Sequence, residues 1–429
     1  YDEIRREELR FVKTLERGES LLEEVLASAL SASTKGEQAV VNGRDAFVLY
    51  DTYGFPVEIT EEVALERGVA VDMEGFKTAM EEQRAMSQAA HETVDLTVGA
   101  ALAEVAKEIS PSDFLGYSDL EARSQIEALL VDGSSVASAE LEEGMSFQMV
   151  LDRTPFFAES GGQTGDAGLL QLSTDQGSVT LEVTDVQKGA GDRLIVHTVR
   201  VLSSGGVVSL GNSVEAVVDS LSRSQTASNH TATHLLQSAL KMTMGENTAQ
   251  AGSLVTPDRL RFDFNSPEGL KDEEIEQVER IINTWIQEGR DVTTVEMDLE
   301  DAKEAGATAM FGEKYSQRVR VVDVIGERSS NKGEDDEEED TVRLSMELCG
   351  GTHVSNTSQI GGFKVLSESG IASGVRRIEA VTGPGMVQLL NSRDNIVKSL
   401  TSKLKVKPEE VVERIEKLQD EVRASQQEA

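Results

Sequence analysis

Two short segments, far apart in the chain, hold most of the residues that can bind a transition metal. The first is Asn229-His230-Thr-Ala-Thr-His234, and the second is Cys349-Gly-Gly-Thr-His353. Together they contain the only cysteine and three of the 5 histidines. Two histidines spaced i, i+4 lie on one face of a helix, so both imidazoles can face one ion. A Cys-x-x-x-His pair from another element would complete three nitrogens and one sulfur, the tetrahedral shell that Zn²⁺ prefers.

Each half of this pattern has a simpler alternative. A helical histidine pair often lies on a surface or in a core without binding anything, and a lone cysteine is commonly a small buried hydrophobic residue. The combination favours a shared metal site, because it uses the only cysteine and most of the histidines. A protease of the His-Glu-x-x-His kind is excluded, since its glutamate must follow the first ligand and Thr231 stands there.

Several stretches of the chain resemble one known family. Residues 228–236 (Ser-Asn-His-Thr-Ala-Thr-His-Leu-Leu) and 348–354 (Leu-Cys-Gly-Gly-Thr-His-Val) are similar to the editing domain of alanyl-tRNA synthetases and its free-standing relatives. Residues 154–166 resemble the loop that precedes this domain in the family. Two further stretches also fit: residues 259–264 and 374–383. All of these matches stand in the order that the family has, which is more specific than any single motif.

The resemblance implies a multidomain α+β protein, a part of a synthetase that lacks the aminoacylation core. The start at Tyr1, without an initiator methionine, also suggests a piece of a longer protein. Residues 1–110 are expected to form a helical tRNA-recognition region, and residues 113–215 a β-barrel-like domain with the Ser-Gly-Gly-Gln loop. Residues 216–385 are expected to form a zinc-binding editing domain, and residues 386–429 the start of a C-terminal coiled coil.

The function that the resemblance implies is proofreading. The family's editing domain hydrolyses the ester that joins a wrong amino acid, serine or glycine, to tRNA(Ala). A second site is needed because one hydrophobic pocket separates such similar substrates by only about 10- to 200-fold. The whole protein would attach alanine to tRNA(Ala) using ATP, which would bind only in an aminoacylation domain that these residues do not include. An alternative from another class is a non-catalytic tRNA-binding module with a structural zinc.

The resemblance also implies roles for individual residues. One Zn²⁺ per chain would be bound by three imidazoles and a thiolate: His230, His234, His353 and Cys349. The candidates for a hydrogen bond to the substrate hydroxyl or to water are Thr231, Thr233 and Gln163. Glu159 is the candidate for proton transfer. Their alternative roles are packing on the helix or bracing of the loop. Four protein ligands make a closed shell, typical of structural zinc, whereas catalysis needs an open position; the sequence does not decide between them.

The charge of the chain limits its nucleic-acid partners. The formal net charge is −36 at pH 7, and the run Glu334–Asp340 contributes seven of the negative charges. Lysine and arginine bind phosphates, so this acidity argues against nonspecific binding of RNA or DNA but leaves room for a shaped tRNA site. The expected contacts are the acceptor stem and the mischarged 3′ end of tRNA(Ala), with no DNA. Arg376 and Arg377 would contact phosphate or a terminal ribose, or else form salt bridges at the edge of the core.

Cysteine usage and apolar patterning predict the compartment and the assembly. A single cysteine suits a reducing compartment, and the chain has neither a long apolar run nor a signal peptide. We therefore expect a cytoplasmic protein without a membrane partner, with an organelle as the open alternative. Four apolar residues are spaced by 4, 3 and 4, which predicts a coiled-coil seam: Val411, Ile415, Leu418 and Val422. We expect a homo-oligomer that forms through a further C-terminal region.

Apolar periodicity predicts the elements around the site. A helix is expected from Ser224 or Thr226 to about Lys241, and Thr60 is expected to cap an earlier helix. Residues 1–35 are predicted to be helical, and residues 326–341 to be a disordered insertion. Further helix and strand predictions cover residues 273–288 (helix) and 146–151, 179–184, 194–201, 259–264, 318–325 and 342–348 (strands).

Overall fold

The computed structural model describes residues 18, 21–23, 25–31, 39–51, 55–80, 96–174, 177–203, 205–309, 315–328, 341–372 and 374–428. By its contacts the chain forms two compact units, residues 1–96 and 97–429. Among the described helices, none has the length and apolar character needed to cross a membrane. The acidic run Glu334–Asp340 and the first part of the predicted N-terminal helix lie outside the described residues.

The N-terminal unit contains helices around a short parallel strand pair. The described elements are β1 (Val40–Val41), α1 (Gly43–Asp51), α2 (Val57–Glu66), β2 (Ala70–Val71) and helical residues 25–31 and 73–80. Leu22, Leu26 and Phe55 are fully buried in its core. The prediction that Thr60 caps a helix is wrong. The N-cap of α2 is Pro56, and the Thr60 hydroxyl donates to the Pro56 carbonyl at 3.3 Å from inside the helix.

The second unit begins with a helix and a small barrel. Its first elements are α3 (Leu96–Glu108), β3 (Asp113–Phe114), β4 (Glu121–Val131), β5 (Ser134–Val136), β6 (Ser138–Glu140), β7 (Ser146–Leu151), β8 (Arg153–Thr154), β9 (Gly168–Thr174), β10 (Gly177–Gly189), β11 (Leu194–Val201), β12 (Val207–Ser209) and β13 (Ser213–Val218). Among these described strands, six close an antiparallel ring in the order β13–β9–β10–β11–β7–β4, and β4 pairs again with β13. Closure leaves these strands without a free edge.

Helix α3 packs on the outside of this barrel. Leu102 and Ala106 are buried against Ala128, Val150 and Val196. The sequence prediction assigned residues up to 110 to the N-terminal helical region, but the contacts divide the chain at residue 96. The apolar side of the helix accounts for this difference, since it is buried by strands of the barrel.

The rest of the second unit is an α+β region. Its elements are α4 (Ser220–Met244), β14 (Gln250–Val255), β15 (Leu260–Asn265), α5 (Asp272–Glu288), β16 (Val292–Asp298), α6 (Leu299–Glu304), β17 (Arg318–Arg328), β18 (Thr341–Leu348), β19 (Phe363–Ala372), β20 (Val375–Thr382), α7 (Gly383–Leu404) and α8 (Val411–Glu428). One antiparallel sheet has the order β14–β15–β20–β19, and another has the order β16–β17–β18.

Helix α4 is the central element of this region. It begins at Ser220, earlier than predicted, because the Asp219 side chain accepts hydrogen bonds from the backbone N–H groups of Leu221 and Ser222. Such a cap satisfies donors that the first turn leaves free. The helix packs against α5 and both sheets in one core that includes Leu235, Leu236, Phe262, Ile282 and Val324. Burial of each such side chain contributes roughly 1.5–3 kcal/mol.

The predicted coiled-coil seam lies on the surface of the described chain. Ile415 and Val422 on α8 are 37% and 55% exposed. An oligomer formed through this helix therefore stays a prediction.

Candidate metal centre

Four side chains from two distant segments meet at one point. His230 and His234 lie on the middle of α4, while Cys349 follows β18 directly and His353 lies in the next turn. One possible ligand atom from each residue lies within 4.8 Å of the others. The Nε2 atoms of His353 and His230 are 3.3 and 3.5 Å from Cys349 Sγ. The contacts of 3.3 and 3.5 Å fit ligand atoms that lie about 2.0–2.3 Å from one shared Zn²⁺.

A glutamine from the barrel orients His230. The Gln163 side-chain oxygen accepts from the Thr352 backbone N–H at 2.9 Å, which fixes the orientation of the amide. The same oxygen lies 2.8 Å from His230 Nδ1, so this nitrogen must carry the proton and donate. His230 Nε2 is then left with its lone pair toward the cluster, the tautomer that a metal ligand requires.

A threonine on α4 orients His353 in the same way. The Thr231 hydroxyl donates to the Ala227 carbonyl at 2.9 Å and accepts from the Val354 N–H at 3.2 Å. His353 Nδ1 lies 3.1 Å from this oxygen. Because the hydroxyl proton is already used, the imidazole donates here as well, and His353 Nε2 is free to bind a cation.

The third histidine has a carboxylate beside it. His234 Nδ1 lies 3.3 Å from Glu347 Oε2, near enough for an ion pair although the contact falls short of hydrogen-bond geometry. Each of the three imidazoles thus has an oxygen atom of the protein beside Nδ1. Such partners usually accompany metal-binding histidines, because they fix the ring and increase its basicity.

The electrostatics of the cluster favour a cation. Burial raises the pKa of the Cys349 thiol, but the neighbouring His230 and His353 hold it well below its usual range. Burial lowers the pKa of His234, yet the Glu347 carboxylate and the Cys349 sulfur together raise it to about 9. Burial and the nearby His230 lower the pKa of His353 to about 3. A thiolate and a carboxylate at one buried point call for a positive charge, either a proton on His234 or a metal ion.

Two glycines allow neighbouring segments to pack closely at the site, Gly162 against β14 and Gly351 against His230 and Gln163. Gly162 has φ +81°, and a Cβ there would lie 2.6 Å from the Ser253 carbonyl oxygen. A Cβ on Gly351 would lie 2.1 Å from His230 Cε1 and 2.8 Å from the Gln163 side-chain oxygen. Only a residue without a side chain fits at either position.

A cavity of about 540 Å³ opens beside the cluster. Its wall includes His230, His234, Thr233, Cys349 and Gln237. Its volume lies within the roughly 300–1,000 Å³ typical of ligand pockets. The wall also carries basic side chains: Lys188, Lys241, Arg318 and Arg320.

The structure separates the other candidate site residues by role. Thr233 lines the cavity, and its hydroxyl donates to the Asn229 carbonyl at 2.9 Å, which leaves the oxygen able to accept. Gln163 and Thr231 are fully buried and contact His230 and His353, an arrangement that suits positioning of these two rings and not contact with a substrate. Glu159 is exposed, accepts from Gln187 at 3.0 Å, and is not among the described residues that line the cavity. Bracing of the loop is the role that these contacts favour for it.

Arg376 and Arg377 both form salt bridges. Arg376 binds Glu368 through contacts of 2.5 and 2.6 Å, and Arg377 binds Asp263 at 2.7 and 2.8 Å. Of the two interpretations, the edge-of-core salt bridge therefore describes both residues.

Sequence reasoning missed Glu347. A signal was present, since residues 347 and 349 alternate onto the same face of an extended segment, and an acidic side chain beside a metal-binding cysteine suits a histidine partner. It also missed Tyr117 and Arg320, which contact the turn from other elements and leave no local pattern in the sequence.

Known proteins match the chain along its length. Residues 1–222 match the family described as tRNA synthetases class II (A), and residues 319–379 match the threonyl and alanyl tRNA synthetase second additional domain. The alanine–tRNA ligase, chloroplastic/mitochondrial, of Ostreococcus lucimarinus is 53% identical over 426 residues, which cover 99% of this chain and 44% of that protein. The corresponding protein of Populus trichocarpa is 52% identical over 427 residues, covering 98% and 40%.

A bacterial relative matches over the same span. The alanine–tRNA ligase of a Synechococcus species is 50% identical over 424 residues, covering 99% of this chain and 44% of that protein. The chain thus spans less than half the length of these relatives. By these matches the chain belongs to the alanyl-tRNA synthetase family.

Proposed function

We propose that this chain edits mischarged tRNA(Ala) by hydrolysing the ester of serine or glycine at the 3′ end. The observation that carries the proposal is the position of the His/Cys cluster in the wall of a ligand-sized cavity. The relatives' name, alanine–tRNA ligase, supports tRNA(Ala) as the substrate. The match to the second additional domain includes Cys349 and His353.

We assign each side chain of the site a role in this hydrolysis. His230, His234, His353 and Cys349 hold one Zn²⁺, whose charge would polarise an ester carbonyl or lower the pKa of a water molecule. Gln163, Thr231 and Glu347 keep the imidazoles in the required orientation and tautomer. The Thr233 hydroxyl accepts a hydrogen bond from the serine hydroxyl or from water. A hydroxyl partner in the wall is what a site that selects serine requires.

Basic residues at the cavity suit the nucleic-acid part of the substrate. Lys241 on α4 and Arg318 on β17 line the same cavity as the cluster. Lysine and arginine neutralise phosphates, and here they do so locally in a chain with a net charge of −36. We therefore place the acceptor 3′ strand of tRNA(Ala) along this side of the cavity. No DNA or membrane partner is proposed.

A second candidate is a non-catalytic tRNA-binding module with a structural zinc. The observation that favours it is the full set of four protein ligands, a closed shell typical of structural sites. Turnover of Ser-tRNA(Ala) and Gly-tRNA(Ala) decides between the two. Wild type should deacylate both, and Cys349→Ala should lose the activity while still binding tRNA. If neither wild type nor Cys349→Ala hydrolyses the ester while both bind tRNA, the chain is the non-catalytic tRNA-binding module.

A neighbouring substitution serves as the control. Gly350→Ala changes the same turn, but the nearest atom to its new Cβ is the Tyr117 hydroxyl at 3.9 Å, so the ligands should stay in place. It should therefore keep deacylation near the wild-type rate. Loss of activity in Gly350→Ala would mean that the cysteine result reports a damaged turn.

The activity of the whole protein is a separate proposal. The relatives' name implies that the complete protein attaches alanine to tRNA(Ala), with ATP bound in another domain. We expect this chain alone to support no alanine-dependent pyrophosphate exchange. Such exchange by the purified chain would contradict that expectation.

The compartment and the assembly of the full-length protein are two further proposals. The plant and algal relatives are named chloroplastic/mitochondrial, which supports an organelle over the cytoplasm. The position of the full-length gene product fused to a fluorescent protein tests this. Light scattering on the full-length protein tests the homo-oligomer predicted from α8.

A further inference from the structure

Tyr117 is connected to the metal-binding cysteine through a single peptide group. It lies between β3 and β4, and its hydroxyl donates a hydrogen bond to the Gly350 carbonyl at 2.6 Å. On the other side of the same peptide, the Gly351 N–H contacts Cys349 Sγ at 3.4 Å. The C=O and N–H of a trans peptide point in opposite directions. The bond that holds the carbonyl therefore also directs the N–H toward the sulfur.

Arg320 contacts both the Tyr117 ring and the turn that follows β18. Its guanidinium lies 4.1 Å from the centre of the Tyr117 ring. Its Nη1 donates to the carbonyls of Cys349 and Gly351 at 3.0 and 2.7 Å. Together with the Tyr117 contact, side chains from outside the turn thus bind three successive carbonyls. The ring of Phe114 packs edge-on against Tyr117, with 4.9 Å between the ring centres.

This arrangement affects how the sulfur would bind a cation. Hydrogen bonds to metal-bound sulfur draw electron density from it and tune the site. A donor on the carbonyl side of a peptide polarises the group and strengthens its N–H as a donor. Tyr117 therefore acts on Cys349 although it lies 233 residues away from Gly350 in sequence and belongs to the barrel region.

We propose that Tyr117 is a positioning residue for the metal centre, which through the Gly350–Gly351 peptide sets how strongly Cys349 donates electrons to a bound cation. The proposal rests on the metal role of Cys349 given above. It implies that the barrel region affects the metal centre at two separate ligands, at Cys349 through Tyr117 and at His230 through Gln163.

The first test compares Tyr117→Phe with wild type after loading both with Co²⁺. Phenylalanine keeps the ring against Arg320 and removes only the hydroxyl donor. The weaker N–H···S contact should shift the thiolate-to-cobalt absorption band to lower energy, and the less ordered turn should weaken Co²⁺ binding by about tenfold, the low end for partners of metal ligands. Tyr50→Phe is the matched control, because Tyr50 is an exposed residue of α1.

The second test observes the peptide itself. The chain has four Gly-Gly pairs, at 161–162, 205–206, 350–351 and 361–362. The protein is labelled with ¹³C-carbonyl and ¹⁵N only at glycine. An NMR spectrum that selects amides preceded by a ¹³C carbonyl should then show only the N–H of the second glycine in each pair. Gly350→Ala removes one peak and so assigns Gly351. In Tyr117→Phe the Gly351 proton should move upfield, while the other three peaks stay in place and show that the fold is intact.

The outcomes separate this proposal from the proposed function. A shifted cobalt band and a moved Gly351 peak, both absent in Tyr50→Phe, support the role of Tyr117. If wild type has the thiolate-to-cobalt band and Tyr117→Phe matches it in band and peak position, the role of Tyr117 is refuted while the metal site stands. If wild type has no such band, both proposals are refuted together.

Discussion

The side-chain oxygen of Gln163 lies 2.8 Å from Nδ1 of His230 and 2.9 Å from the backbone nitrogen of Thr352. One amide from the barrel region thereby connects the helical half of the candidate metal centre to the turn that carries its other half. Both partners are donors, so the oxygen fixes the protonation of His230 as well as its position. The loop resembling the family motif is thus part of the site's framework.

Gln163→Ala should weaken metal binding by roughly 10- to 100-fold, the usual effect of removing a partner of a metal ligand. Without the amide, His230 loses the acceptor that selects its tautomer. Competition for Zn²⁺ with a chromophoric chelator measures the change. Gln171→Ala is the matched control, since Gln171 is an exposed residue of the barrel strand β9. Equal affinity in Gln163→Ala and wild type would rule out the positioning role.

Two adjacent glycines should respond differently to the same substitution. A Cβ at Gly351 would lie 2.1 Å from His230 Cε1, whereas at Gly350 the nearest atom is 3.9 Å away. Gly351→Ala should therefore displace His230 and reduce metal affinity by about 100-fold, and Gly350→Ala should stay near wild type. Metal content after dialysis provides the measurement. Retention of a full equivalent of metal by Gly351→Ala would contradict the packing described for the turn.

Thr233→Val should reduce hydrolysis of Ser-tRNA(Ala) more than that of Gly-tRNA(Ala). Valine keeps the shape but removes the hydroxyl, and one hydrogen bond contributes roughly 0.5–1.5 kcal/mol, or about 2- to 12-fold in rate. Single-turnover deacylation of the two substrates is the measurement. Thr226→Val is the control, because Thr226 lies on the same helix and also donates to a carbonyl four residues earlier. Equal losses on both substrates would remove Thr233 from the recognition of serine.

The four candidate ligands could be selected from the sequence because each pair is local, and the structure brings their possible ligand atoms within 4.8 Å of one another. The i, i+4 spacing of His230 and His234 fixes a common helix face, and Cys349 and His353 lie within one turn. The start of α4 was placed too late because the Asp219 cap stands before the apolar pattern begins. Gln163 was expected to contact substrate, and only the structure shows that Thr352 and His230 already occupy its side-chain oxygen.

Contacts between distant segments account for the rest of what the sequence did not show. The sequence predicts several strands of a β-barrel-like domain, but the pairing of β4 with β13 that closes the ring joins segments about 90 residues apart. Likewise, nothing near Tyr117 in the sequence indicates that its hydroxyl binds Gly350. Periodicity specifies the faces of an element and not the element that it meets.

His197 should make the barrel less stable below about pH 6.5. Its Nδ1 donates to the Met149 carbonyl at 3.3 Å, because a carbonyl can only accept. Nε2 of the neutral ring therefore accepts from the Thr154 hydroxyl at 2.8 Å. Burial lowers the pKa of His197 from 6.5 to about 4. Between these values only the unfolded chain binds the proton, so stability falls by about 1.4 kcal/mol per pH unit as the pH decreases.

The His197→Gln variant isolates this effect from that of the many carboxylates. Glutamine does not titrate, so the difference in stability between variant and wild type should shrink as the pH falls from 6.5 to 4. Hydrogen exchange of the β10 and β11 amides, corrected for the intrinsic rate at each pH, reports the local stability. A difference that stays constant with pH would show that His197 does not titrate as its burial implies.

A buried ion pair connects the barrel region to the beginning of α4. Arg223 Nε lies 3.0 and 3.1 Å from the two carboxylate oxygens of Asp166, and Nη2 contacts the same carboxylate. The guanidinium also donates to the carbonyls of Gly116 and Pro155. Asp166→Asn would leave a buried guanidinium without its counter-charge, which should cost roughly 3–5 kcal/mol.

Glu182→Gln is the control, because the side chains of its pair with Arg200 are 52% and 35% exposed, so the pair should contribute less than about 1 kcal/mol. Hydrogen exchange of the α4 amides at increasing urea concentrations measures the loss of unfolding free energy in each of the two variants. Since His230 lies two turns beyond Arg223 on this helix, Asp166→Asn should also weaken metal binding, whereas Glu182→Gln should not. Equal small effects of the two substitutions would mean that the Asp166 pair does not anchor the helix that carries the candidate histidine ligands.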